Sequence, residues 1–109
     1  MNYKVKMIDT LFLQHPQIDI NTSDNHGMTP LHTAAEGCCL LLVQKLLDHP
    51  YISINVRNHD NETPLELVER KIQGNLPQIL EWIKIKKLLV EFLIKRRWQA
   101  YQYFLIHYV

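Results

Sequence analysis

Apolar residues along this chain gather in clusters separated by polar, turn-forming stretches. The densest cluster is Leu40, Leu41, Leu42, Val43, Leu46 and Leu47. It is apolar on more than one helical face, which predicts a helix over 39–48 sandwiched between neighbours. Pro50 ends that helix, because a proline disfavours helical geometry at the preceding His49. Ile8, Phe12 and Leu13 repeat the spacing of Leu42, Leu46 and Leu47 and predict a similar helix over 3–14. Near the other end Glu81, Lys84, Lys87, Glu91 and Lys95 form a polar stripe three or four residues apart in an otherwise apolar stretch. This predicts a long last helix opened by Pro77, with Lys87/Glu91 and Glu91/Lys95 pairs at helical spacing. A helix so apolar around its circumference needs cover on two sides.

Two landmarks recur at one offset of 34 residues. Gly27-Met28-Thr29-Pro30-Leu31-His32-Thr33-Ala34-Ala35 returns as Asn61-Glu62-Thr63-Pro64-Leu65-Glu66-Leu67-Val68-Glu69, and His15 to Asn21 returns as His49 to Asn55. The chain is an array of repeats. Thr29 can cap a first helical turn with its hydroxyl, and Pro30 fits the first helical position, where no amide proton is needed; a helix over 29–36 follows. Asp24 to Gly27 reads as a tight turn with Gly27 at positive φ, and Asn61 is the next best residue for that conformation. Ala34 and Ala35 are small enough to let neighbouring helices approach closely.

This period, with Thr-Pro-Leu-His at a helix start, resembles the ankyrin repeat. The matching positions in the middle repeat are Asp24, Gly27, Thr29, Pro30, Leu31, His32, Ala34, Ala35, Val43, Leu46 and Leu47, with Asn21 and Asn55 as the loop asparagines. The resemblance implies an all-α, helix-turn-helix solenoid of about two and a half to three repeats with an elaborated C-terminal helix. The single domain divides into an N-terminal half repeat (1–21), a full repeat (22–55), a divergent repeat with an insertion (56–95) and a basic, aromatic tail or cap (96–109). The half repeat reads as an unusual cap or as part of a longer array.

Departures from the family pattern mark three places. Cys38 stands where the family has a glycine between its helices, with Gly37 one place early, so the turn is expected to shift by a residue. Glu66 and Glu69 replace His32 and Ala35, which predicts a partly wet inner side. Mapping Val43, Leu46 and Leu47 onto Val90, Leu93 and Ile94 requires 13 extra residues, placed within 72–84 with a turn at Gly74-Asn75.

Composition narrows the classes. With 109 residues and 47% hydrophobic content there is enough for one core. A secretory leader and a membrane span are not expected, since the first 15 residues lack an apolar core of the needed length and no uninterrupted apolar run reaches about 18 residues. Adjacent Cys38 and Cys39 are expected to be free thiols in a reducing compartment. These features point to an intracellular, cytoplasmic protein; richness in isoleucine, lysine and asparagine fits an AT-rich genome, and a bacterial effector would act in the host cytoplasm. The net charge of +1 hides an acidic array and a basic tail: residues 1–69 carry four basic and nine acidic side chains, residues 70–109 eight and two.

Candidate chemistry is sparse. His15, His26, His32, His49, His59 and His107 show no paired zinc-type spacing, so no metal, cofactor or catalytic residue is assigned. His32 and Cys39 could be drawn as base and nucleophile, yet both fall on framework positions, and His32 is expected to be a buried hydrogen-bonding residue. His26 and His59 are expected at solvated finger tips. The resemblance implies non-catalytic protein binding through finger tips and the exposed side of each first helix. Carried over by position, those sites are Asn25, His26, Met28, Thr33, Glu36, His59, Asp60, Glu62, Leu67 and Arg70. Their acidic and polar tone favours a basic or mixed partner. The tail joins Lys95, Arg96 and Arg97 to Trp98, Tyr101, Tyr103, Phe104 and Tyr108, the mixture that grips single-stranded nucleic acid or an anionic membrane, or that covers a core as a cap. The cap is favoured because the last repeat needs a cover. A homodimer through the last helix stays open, membrane contact is not favoured, and no nucleic acid is expected.

Overall fold

Thr29 and Thr63 set the architecture. In the computed structural model, which describes residues 19–74 and 77–108, each starts a helix with a capping box. The threonine hydroxyl accepts from the third helical N–H, and the side chain of that third residue receives the threonine's own N–H. Pro30 and Pro64 occupy the first helical positions, as expected. Four helices result: α1 (Pro30–Glu36), α2 (Leu40–Leu47), α3 (Pro64–Gln73) and α4 (Ile79–Tyr108). No strand occurs among the described residues. The helix expected over 3–14, with Ile8, Phe12 and Leu13, lies outside them, as does Asn75 of the expected turn.

α1 packs against α2 and α3, while α4 packs against all three. The core joins Leu31, Ala34 and Ala35 of α1 to Leu42, Val43 and Leu46 of α2, Val68 of α3, and Trp82, Ile85 and Leu89 of α4. The alanines are fully buried, so close helix approach is what their size permits. Asn21 ties the first loop to the next: its amide donates to the Tyr51 carbonyl at 2.8 Å and its carbonyl accepts from Ser53 N–H at 2.8 Å.

Between α1 and α2 the turn does not shift. Cys38 itself takes the left-handed conformation at φ 58°, while Gly37 remains at φ −78°. Three backbone bonds, from Gly37, Cys38 and Cys39 to the carbonyls of Thr33, Ala35 and Ala34, hold the register and outweigh the strain on a residue with a Cβ.

The terminal repeat differs from expectation in register. α3 is ten residues long against seven in α1, and α4 starts 39 residues after α2, five beyond the repeat period. The first turns of α4 therefore reach the core, and Trp82 and Ile85 take the places of Val43 and Leu46. Leu93 and Ile94, expected in the core, are 36% and 63% exposed. Glu66 is exposed and Glu69 half-buried, paired with Lys86 at 3.8 Å, so the inner side of α3 is partly wet as expected.

The fold-back that would cap the array does not occur. No glycine or proline follows Pro77, so the helical ladder continues to Tyr108, and residues 93–107 are exposed. Past Phe92, Arg96 holds the helix to the array: its guanidinium donates to the Ile52 carbonyl at 2.9 Å and lies 4.8 Å from the Phe92 ring centre. Trp82 is buried with the Lys71 ammonium 5.9 Å from its ring centre, and its indole N–H meets no acceptor among the described residues.

Candidate partner-binding surface

The two finger loops are built by one device used twice. The Asp24 carboxylate accepts from the N–H groups of His26 and Met28, both at 2.9 Å, and Asp24 N–H donates to the Met28 carbonyl at 2.9 Å. The Asn58 side chain accepts from Asp60 and Glu62 N–H at 3.0 and 2.9 Å, and Asn58 N–H donates to the Glu62 carbonyl at 2.9 Å. Each turn closes through a residue at positive φ, Gly27 at 75° and Asn61 at 62°, as their residue types predict.

The fingers are fastened to each other. His59 N–H donates to the His26 carbonyl at 3.0 Å, and the Asn58 amide donates to the Met28 sulfur at 3.4 Å. A Cβ on Gly27 would stand 2.7 Å from the His59 ring and 2.9 Å from its backbone nitrogen. Glycine is therefore required here by contact as well as by φ.

His32 extends the fastening into the core. It is fully buried; Nδ1 lies 2.8 Å from the Thr29 hydroxyl and 3.2 Å from Thr29 N–H, and Nε2 lies 2.8 Å from the Glu62 carbonyl. A carbonyl only accepts, so Nε2 carries the proton and Nδ1 accepts. Burial lowers the His32 pKa below its usual 6.5, against opposing contributions from the Glu62 carbonyl and nearby carboxylates. On the outer side the Glu62 carboxylate takes two bonds from the Arg70 guanidinium, at 2.6 and 3.2 Å. That contact holds the Glu62 carboxyl below, and the Arg70 guanidinium above, their ordinary pKa values.

Of the positions carried over by register, Asn25, His26, His59 and Asp60 are exposed on the finger tips, and Glu36 and Arg70 are exposed at the C-terminal ends of α1 and α3. Met28 and Glu62 are half-buried and engaged by Asn58 and Arg70. Thr33 and Leu67 are not available to a partner. They are 7% and 1% exposed. The structure adds Arg57, which bridges the Asn61 carbonyl and the Glu66 carboxylate at 2.8 Å each beside the second finger. It also adds Asn58 as the organiser of that finger; the signal was the 34-residue offset from Asp24. No group of three or more potential metal ligands occurs among the described residues.

These features are shared with a known family. A family model described as ankyrin repeats (many copies) matches residues 13–68, more than half of the chain. The chain belongs to the ankyrin repeat family. No curated protein matches it. Ankyrin repeats are generally protein–protein interaction modules and typically non-catalytic. In this ankyrin repeat protein no helix among the described residues is long and apolar enough to cross a membrane.

Proposed function

We propose that this ankyrin repeat chain is a non-catalytic binding module that takes a basic or mixed-charge protein segment across its two finger tips. Asn25, His26, His59 and Asp60 supply the contact surface, with Glu36 and the Glu62–Arg70 pair beside them. The observation that carries this reading is the backbone bond from His59 to His26, with the close approach at Gly27. Two loops locked to each other lose little freedom on binding, which favours affinity. The half-buried pair Cys38 and Cys39 fits a reducing, intracellular setting.

The test is a nuclear magnetic resonance titration with a lysine- and arginine-rich peptide at low salt, with an acidic peptide as control. Shifts should concentrate on residues 25–26, 36, 59–62 and 70. Equal response to both peptides, or none on the fingers, rejects the reading. A second reading is self-association through α4, favoured by its long row of exposed apolar side chains over membrane or nucleic-acid contact.

A further inference from the structure

α4 carries two apolar faces. Trp82, Ile85, Leu89 and Phe92 lie on the face packed against the array. A second row, Ile83, Val90, Ile94, Trp98, Tyr101 and Leu105 with Lys87 among them, lies roughly 160° around the helix at 3.6 residues per turn. Except for the half-buried Val90, every member of this row is exposed. Counted outward from Ile94, its members stand four, seven and eleven residues away in both directions. The row is thus a seam of coiled-coil spacing that reads the same from either end.

We infer that α4 pairs antiparallel with α4 of a second copy of this chain, about a two-fold axis at Ile94; the inference rests on the reading of α4 as a self-association surface. That axis sets Ile94 against Ile94, Val90 against Trp98 of the second copy, and Ile83 against its Leu105. Every seam position then meets a seam position, which an isologous interface requires. The charges select this direction. A parallel pair would place Lys87 against Lys87 and lay both copies of Lys95, Arg96 and Arg97 side by side along the helix. The antiparallel pair sets Lys87 on the ring of Tyr101 and brings each Glu91 within a helical turn of Lys95 of the second copy. The arrays do not collide, because each packs on the side of its own α4 turned away from the seam.

Light scattering on the full chain over a wide concentration range reads the association, and engineered thiols read the register. The mass should rise from 13.0 kDa to twice that value. Trp98→Glu should return it to one chain with unchanged helical circular dichroism, since Trp98 is exposed. With Cys38→Gly and Cys39→Ser removing the native thiols, Ile94→Cys should give a dimeric disulfide and Leu80→Cys should not. Mixed Val90→Cys and Trp98→Cys chains should cross-link to each other. A single-chain mass at every concentration overturns self-association, including the case where that monomer sediments with anionic vesicles or binds single-stranded oligonucleotides. A dimeric mass with Leu80→Cys cross-linking, or with Ile94→Cys failing to, overturns the antiparallel register alone.

Discussion

The repeat inside the array and the repeat at its end open alike and diverge at the third helical residue. Thr29 and Thr63 make the same capping box, yet the partner is the buried His32 in one and the exposed Glu66 in the other. An imidazole has nitrogens on opposite edges, so His32 caps its own helix and still donates to the Glu62 carbonyl of the next finger. No such finger lies beyond α3 among the described residues. There a carboxylate suffices: Glu66 receives Thr63 N–H and stays solvated beside Arg57. Position in the array, rather than the local helix signal, selects the residue.

Replacing each partner should break this contrast most visibly. His32→Ala removes a buried ring and takes one of the two donors from the Glu62 carbonyl, which keeps only Asn58 N–H, and should cost about 3 kcal/mol in denaturant unfolding. Glu66→Ala should lose far less, and its loss should shrink with added salt. If the two losses are equal, the repeats are not specialised as described.

Next in size is the contrast between finger turns. Gly27→Ala must accept both a left-handed φ and a clash with His59, for about 2 kcal/mol, whereas Asn61→Ala meets only the backbone preference, at about 1 kcal/mol. Thermal unfolding of the two variants separates the terms. At the turn between α1 and α2 the sign should reverse. Cys38→Gly relieves a positive φ and should stabilise the protein by about 0.5 kcal/mol after the unfolded chain's added freedom is counted.

The smallest effect sharpens the contrast by pH. Because burial lowers the His32 pKa below 6.5, the unfolded chain takes up a proton that the folded chain refuses. Stability should therefore fall as pH drops below about 6.5 and be level just above it. His32→Gln should flatten that slope, whereas the Glu62 contribution, from a carboxyl held below its usual 4.5, is lost only in more acid solution.

What could be read from the sequence follows the repeat. The offset of 34 residues carried the caps at Thr29 and Thr63 and the positive φ of Gly27 and Asn61, since each depends on neighbours close in sequence, whereas the buried role of His32 was implied only by the family resemblance, its second partner lying 30 residues away. The register of α4 was not legible in the same way. Trp82, Ile85 and Leu89 obey helical spacing as well as Val90, Leu93 and Ile94 do, and the three extra residues of α3 together with two more in the connection to α4 decide between them. The burial of Thr33 and Leu67 was not legible, because the family register assigns a face without fixing how closely the neighbouring elements cover it. Cys38 was misread because three backbone bonds hold the turn where a glycine would be expected.

The contrast between the packed start of α4 and its bare far half also supplies two optical reporters on one rod. Trp82 is sealed in the array beside Lys71, while Trp98 stands in water stacked on Tyr101 at 5.7 Å. Denaturing the array should shift the emission of Trp82 to the red and leave Trp98 little changed. Covering the far half should dim the accessibility of Trp98 to an aqueous quencher and leave Trp82 as it was. A Trp98→Phe chain isolates the first signal and a Trp82→Phe chain the second, so folding and surface occupancy can be followed separately in the same cuvette.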